Sequence, residues 1–343
     1  MDSGLRVDWF PIRLPFRYPF TTSKGTKTHQ PSLLVRLEHG GKVGWGEAPA
    51  ISYYNVTVAG MVEKLEKNRS ALAAHSFAHP GAFHGWLTTV FPDDPFLVCA
   101  LDMAGWDLFG QMKGLPLCRF WDGNMEDAPI SDYTIGMDSV HRMVEKVRAL
   151  DWPVYKIKVG GAEDLAVLEA LRCETDAAFR VDANAAWTLE QALEMMPRLQ
   201  TLGVEWVEQP LAKGDAEGMQ RLRARSPLPL IADESCVSEG DVAMCAAGFD
   251  GVNIKLTKCG GITPALRMIS EARSLGLQVM IGCMSESTVG AAAIAHLGPL
   301  ADFMDNDGPL LLAEDVATGL EYRYGTVTPT ANPGLGVEVF AFP

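Results

Sequence analysis

Between residues 130 and 304, eight short apolar runs alternate with helical stretches, and this rhythm limits the fold more than any other feature. The runs are Ile130–Ile135, Val154–Val159, Phe179–Ala183, Val204–Glu208, Leu228–Ala232, Gly251–Leu256, Gln278–Ile281 and Ala301–Met304. Helical periodicity fills gaps between them at Ser139–Leu150, Asp164–Thr175, Leu189–Leu202 and Pro264–Leu275. Strands separated by helices pair in parallel, and eight of them predict a closed (β/α) barrel of the TIM type. The stretch 126–312 is shorter than the roughly 250 residues usual for such a barrel, so compact helices are expected.

The first 125 residues have a different rhythm. Residues 5–20 and 32–39 partly alternate apolar and polar side chains, and Ser32–Glu38 with Lys42–Glu47 reads as a β-hairpin turning at Gly40–Gly41. Thr21–Pro31 and Pro49–Thr57 read as mobile loops, and the pattern is helical from Val58 to about Gly110. The tail 313–343 returns to short strand-like pieces rich in Gly, Pro and Thr. The expected division is therefore an α+β cap from residues 1–125, a barrel over 126–312, and a tail over 313–343 that rejoins the cap.

Barrel chemistry gathers at the C-terminal ends of the strands. In Val154-Tyr-Lys-Ile-Lys-Val-Gly160, strand periodicity points Lys156 and Lys158 the same way. Two buried cations require anions close by. Asp182, Glu208 and Asp233 end the next three runs at separations of 26 and 25 residues, about one βα unit each, so the three can converge. Three carboxylates without His or Cys suit a hard cation, with Mg²⁺ the default. Lys255 ends the sixth run, four strands from Lys158, so the two amines face each other across the mouth. That arrangement fits taking a proton from one face of a carbon and returning one to the other. A lysine acts as a base only when its pKa falls towards neutrality, for which Lys156 and the metal ion supply the cationic surroundings. Lys258 is expected either at the surface or as a secondary partner.

The segments Lys156-Ile-Lys158, Asp182-Ala-Asn184, Val-Glu208-Gln-Pro, Ala-Asp233-Glu-Ser and Asn-Ile-Lys255 together resemble the enolase superfamily, muconate-lactonizing-enzyme subgroup. Gly44-Trp45-Gly46-Glu47-Ala48 and Met284-Ser285-Glu286-Ser287 extend the resemblance along the chain. It implies a capping domain on a modified (β/α)7β barrel, one Mg²⁺ per subunit, and abstraction of the proton α to a carboxylate through an ene-diolate. Lys158 and Lys255 would be the two bases, Lys156 would tune them, and Asp182, Glu208 and Asp233 would hold the metal. The implied cation has a physical reason: such a proton is weakly acidic, and the dianionic intermediate needs a divalent cation.

Within the subgroup, Asp305 and Asp307 at the last strand are similar to the mark of dipeptide epimerases. Two carboxylates away from the metal acids would attract the α-ammonium group of a dipeptide. The expected reaction is epimerisation at the C-terminal residue. The alternatives within the family are N-acylamino acid racemase, o-succinylbenzoate synthase and cycloisomerase. Rivals outside it are a Schiff-base aldolase and a non-catalytic metal-dependent binder. Ala-Glu epimerases of the family carry an arginine in the first loop that pairs with the glutamate side chain. This chain has Gly25 there, between Lys24 and Lys27, which counts against glutamate specificity. Tyr53, Tyr54 and Phe20 favour a neutral or apolar side chain under the lid. Cys283 reads as pocket lining, and Ser285 with Glu286 as support for the lysine of strand six.

The remaining features narrow the setting. A formal net charge of −14 counts against nucleic acid or anionic membranes as partners. Seven scattered cysteines without a C-x-x-C pair read as free thiols in a reducing cytoplasm. Met-Asp-Ser-Gly-Leu-Arg lacks the pattern of a signal peptide, and no apolar run is long enough to span a bilayer. His75, His79 and His84 have loose metal-like spacing but read as a surface stretch, and His296 reads as packed in the wall. The expected partner is a small dipeptide, with the protein itself a homo-oligomer.

Overall fold

In the computed structural model, which describes residues 4–340, two structural layers meet at one cavity. Residues 1–3, which open the stretch read for a leader, and residues 341–343 of the tail lie outside the described residues.

The N-terminal layer is an antiparallel sheet of β1 (Arg6–Thr22), β2 (Gly25–His39) and β3 (Lys42–Pro49), followed by α1 (Val58–Ala74), α2 (Pro80–Val90) and α3 (Pro95–Lys113). Each helix begins at a side-chain cap: Thr57, His79 and Asp94. The hairpin at Gly40–Gly41 forms as expected, with His39 paired to Lys42. The loop expected at Thr21–Pro31 is instead the tip of a hairpin. Thr22 pairs with Gly25, Thr21 with Thr26 and Phe20 with Lys27, and the register shifts between Pro15 and Phe20. Gly25 takes φ +129°, a turn conformation that glycine adopts without strain, and this lets two strands rather than a loop reach over the barrel mouth.

Gly44-Trp45-Gly46-Glu47-Ala48 owes its small residues to packing. A Cβ on Gly46 would lie 2.0 Å from the Ala100 carbonyl oxygen, and one on Gly44 would lie 2.2 Å from that of Ala104. Strand β3 thus rests on the backbone of α3. Gly46→Ala is expected to destabilise the fold by about 1–3 kcal/mol or more through overpacking, read as a lowered midpoint in urea unfolding.

The second layer is an eight-stranded parallel sheet in strict sequence order. Its strands are β4 (Tyr133–Ile135), β5 (Val154–Lys158), β6 (Ala178–Asp182), β7 (Val204–Glu208), β8 (Leu230–Ala232), β9 (Gly251–Ile254), β10 (Gln278–Gly282) and β11 (Phe303–Asp305). A parallel bridge between Ser131 and Met304 joins the two edges and closes the barrel. Seven helical connections cover its outside, at α4 (Val140–Ala149), α5 (Asp164–Arg172), α6 (Leu189–Thr201), α7 (Ala216–Arg223), α8 (Val242–Cys245), α9 with α10 (Leu256–Cys259, Ile262–Ser274) and α11 (Thr288–Leu297). The compactness expected from the short segment is met by α8, which has only four residues. The fold is a (β/α)7β barrel with an α+β cap.

The lower interior of the barrel is plugged by Trp206, Ile231 and Met280, with Phe303 packed against them. The Arg180 guanidinium lies 5.4 Å from the Trp206 ring and pairs with Asp132 at 2.9 Å. The tail meets the N-terminal layer directly. Ala313 N–H donates to Pro15, and Leu335 N–H to Asp107 Oδ1 at 2.8 Å. Glu47 stitches the layers together: Ser287 and Gly290 at the start of α11 donate backbone N–H groups to it, and Ser32 donates its hydroxyl. Among the described residues no helix is long and apolar enough to cross a membrane.

Candidate active site

At the C-terminal mouth of the barrel, under the β1–β2 hairpin tip, lies a cavity of about 240 Å³. Lys158, Asp233, Lys255, Cys283, Ser285, Asp305 and Asp307 line it from the barrel, and Gly25, Lys24, Lys27, Tyr53 and Tyr54 from above. Asp182 and Glu208 are fully buried and do not reach its surface.

One oxygen from each of Asp182, Glu208 and Asp233 lies within 4.8 Å of the others. Adjacent strands in register produce this convergence, with Lys158 beside Asp182 and Asp182 beside Glu208. Burial and the neighbouring Asp182 charge push the Glu208 carboxyl up. Burial would also raise Asp182 and Asp233, but Lys158 and Lys156 hold the first below its usual range, and Lys255 and Lys258 hold the second well below it. Three crowded carboxylates, all oxygen donors, fit a hard divalent cation.

Lysines surround this group. Lys158 Nζ lies 2.5 Å from Asp182 Oδ2, and Lys255 Nζ lies 2.8 Å from Asp233 Oδ2. Lys156 Nζ, completely buried, bridges Glu208 Oε2 at 2.6 Å and Asp305 Oδ2 at 2.7 Å, with Asp182 Oδ2 at 3.5 Å. Burial would lower its pKa, yet Asp305, Glu208 and Asp182 hold it well above the ordinary value. Lys156 therefore ties the three-acid group to Asp305 at the end of β11. Lys255 is likewise held up, by Asp233 and Glu208 against burial.

Lys258 is not at the surface. Its Nζ donates to Asp233 Oδ1 at 2.6 Å and to the carbonyl oxygens of Asp233, Cys236 and Asn253. Sequence reasoning left its place open because it belongs to the short helix α9, which no periodic pattern announced. Two further supports went unread. Asn253 donates to Glu208 Oε1 at 2.7 Å, and Gln209 Oε1 accepts from the Asp233 and Ser235 backbone N–H groups. A signal for the first was present, since Asn253 stands two residues before Lys255 and so shares its face. Non-glycine residues with positive φ also cluster just past strand ends, at Asn184, Ala185, Gln209 and Ser285.

Asp305 and Asp307 both face the cavity, as expected. Thr134 N–H donates to Asp307 Oδ2 at 2.5 Å, while the Oδ1 atoms of both acids look towards Cys283 Sγ. Burial would raise Asp305, but Lys156 and Lys158 bring it down to about 2. Burial and then the Asp305 charge push Asp307 up to about 7. Burial, with Asp305 and Asp307 beside it, raises the Cys283 thiol well above its usual range, which suits lining rather than nucleophilic attack.

Elsewhere the expectations divide. Glu286 does not support Lys255: its Oε2 accepts from Met284 and Ser285 N–H groups, because a buried carboxylate beside its own loop amides satisfies itself locally. Ser285 lines the cavity. Tyr53 stacks edge-on against Tyr54 at 4.9 Å, with Lys24 Nζ 5.3 Å from its ring. Lys27 donates to Gln30 at 3.2 Å, and burial lowers its pKa. His84 is buried rather than at the surface, His79 caps α2, and His75 stacks on Trp86 at 4.1 Å. His296 is packed in the wall, its Nε2–H donating to the Leu335 carbonyl oxygen at 3.2 Å.

Comparison with known proteins agrees with this geometry. The family profile described as Enolase C-terminal domain-like matches residues 138–341. An L-Ala-D/L-amino acid epimerase from Flavobacterium johnsoniae is 46% identical over 95% of this chain and 97% of its own. The substrate-liganded L-Ala-D/L-Glu epimerase from Bacillus subtilis superposes with TM-score 0.93 at 30% identity, covering 99% of this chain and 100% of its own. A dipeptide epimerase from Enterococcus faecalis, complexed with Mg and L-Leu-L-Tyr, superposes with TM-score 0.91 at 30% identity, covering 98% and 99%.

Proposed function

The chain belongs to the enolase C-terminal domain-like family, and on that footing we propose that it is a Mg²⁺-dependent dipeptide epimerase acting at the α-carbon of the C-terminal residue. The observation that carries this reading is a pair of amines in one cavity. Lys158 and Lys255 come from strands four apart in a closed order of eight, so they stand on opposite sides of whatever lies between them.

Asp182, Glu208 and Asp233 are the proposed metal ligands, and a divalent ion held there would neutralise the substrate carboxylate and so acidify the adjacent C–H. Asp233 and Glu208 hold the Lys255 amine up in the free protein; a cation taking up their oxygens would weaken that support and favour the neutral amine a base requires. One neutral lysine takes the α-proton onto its nitrogen lone pair, and the electron pair of the broken Cα–H bond spreads into the carboxylate as an ene-diolate. The opposing ammonium returns a different proton to the other face. One proton leaves and one arrives, so the configuration inverts and the chain ends with the two lysines exchanged in charge. Lys156, bonded to both acid groups, positions Glu208 and Asp305. Asp305 and Asp307 hold the α-ammonium of the dipeptide, and Gly25, Tyr53, Ser285 and Cys283 line its surroundings. We assign the cap to residues 1–125 with the tail 313–343, the barrel to 126–312, and the protein to the cytoplasm as a homo-oligomer.

Incubating the protein with mixed L,L-dipeptides and Mg²⁺ in D₂O tests the reading. A one-unit mass gain in a subset of dipeptides is expected; no gain with folded protein defeats it. A pH dependence follows from Asp307. With its carboxyl raised to about 7 in the free protein, it is neutral at lower pH and charged at higher pH. Dipeptide affinity should therefore fall as pH drops below about 7, by up to about tenfold per unit, while loss of the substrate α-ammonium near pH 8 sets the upper limb. In Asp307→Asn the acid limb should flatten, seen as KM against pH.

A further inference from the structure

Cys283, Asp305 and Asp307 form one wall of the cavity, and their residue exposures are 8%, 3% and 1%. The outer carboxylate oxygens are already engaged, Asp305 Oδ2 by Lys156 and Asp307 Oδ2 by the Thr134 N–H. The Oδ1 atoms face the sulfur instead. Cys283 Sγ stands 3.8 Å from Asp305 Oδ1 and 3.6 Å from Asp307 Oδ1. The three donor atoms lie within 4.8 Å of one another. A tetrahedral zinc ion with Zn–S of about 2.3 Å and Zn–O of about 2.0–2.2 Å holds sulfur and oxygen about 3.5 Å apart. The wall has nearly that spacing before any cation arrives.

We propose that Cys283, Asp305 and Asp307 constitute a second metal site, distinct from the three-carboxylate group and selective for a thiophilic divalent cation such as Zn²⁺ or Cd²⁺. The sulfur donor disfavours Mg²⁺ there, because a hard cation prefers oxygen ligands. Binding replaces the S–H proton, which leaves to solvent, with a sulfur–metal bond; no electron is transferred. Lys156 stays on Asp305 Oδ2 and offsets the extra anionic charge that the thiolate brings. The site occupies the same Oδ1 atoms proposed to hold the dipeptide ammonium. On that reading, which this part of the inference rests on, a thiophilic cation competes with substrate and not with Mg²⁺.

The test uses the full-length protein with saturating Mg²⁺ and titrates Cd²⁺, following the ultraviolet thiolate-to-cadmium charge-transfer band. A band saturating with the first equivalent is expected in the wild type and in Cys173→Ser, whose exposed thiol does not line the cavity. It should be lost in Cys283→Ser. Asp307→Asn keeps the thiol and should weaken cadmium binding, which covers the case in which Cys283→Ser does not fold. A band that survives in Cys283→Ser, or no band in the wild type, overturns the proposal. If the band behaves as expected but an L,L-dipeptide does not displace the cadmium, the metal site stands and the ammonium reading falls.

Discussion

Replacing Lys158 or Lys255 by alanine is expected to cut dipeptide epimerisation by about 10²–10⁴-fold, the usual contribution of a positioned general acid or base. The two variants should not behave identically towards solvent. Lys158 stands on β5, and Lys255 just past β9 across the closed barrel. Each lysine can reach only the face of the α-carbon that it looks at. In D₂O each single variant should therefore still exchange the α-proton of one substrate epimer and fail with the other, and the preference should reverse between the two variants. Proton NMR of each epimer incubated separately reads this directly. Loss of exchange in both epimers from either substitution would mean that the lysines act as one unit on one face, and the opposed-amine mechanism would be wrong. A borohydride-trapped adduct would point instead to Schiff-base chemistry.

Asp233→Asn should produce the second large effect, on stability as well as activity. Asp233 receives Lys255 on one oxygen at 2.8 Å and Lys258 on the other at 2.6 Å, and all three side chains are almost wholly buried. Neutralising the acid leaves two desolvated ammonium groups facing an amide. Breaking a buried pair in this way costs about 3–5 kcal/mol. Denaturant unfolding with EDTA present measures this cost apart from any metal contribution. Lys258→Met in the same background should recover part of the loss, because it removes the buried charge with the least reason to remain. If Asp233→Asn unfolds at the wild-type midpoint, the ammonium groups are not held by that carboxylate. Activity in Asp233→Asn should fall even where the fold persists, since one ligand of the proposed metal site is lost and Lys255 no longer has its positioning partner.

Much of this was legible because strand periodicity is rigid. Once Val154–Gly160 is a strand, Lys156 and Lys158 must share a face. Once three acids recur one βα unit apart at strand ends, they must meet. The Gly44–Ala48 segment could be recognised as a motif but not understood. Its glycines make sense only when α3 lies against them, and Glu47 only when α11 begins beside it. The β1–β2 tip was misread as a loop because Thr, Lys and Gly carry no strand signal; pairing between Thr21 and Thr26, a tertiary fact, decided it.

The chain's order of residues determined the barrel, the closure of eight strands, and the membership of the acid and amine groups, because these follow from local periodicity and from where strands end. Only the tertiary structure decided which amine serves which acid. Lys156 bridges the two acid groups, Lys258 is buried beneath Asp233, and Glu286 turns back on its own loop. Such pairings depend on side-chain reach across strands distant in sequence, and on which atoms are left without water, so no repeat or spacing within the chain encodes them.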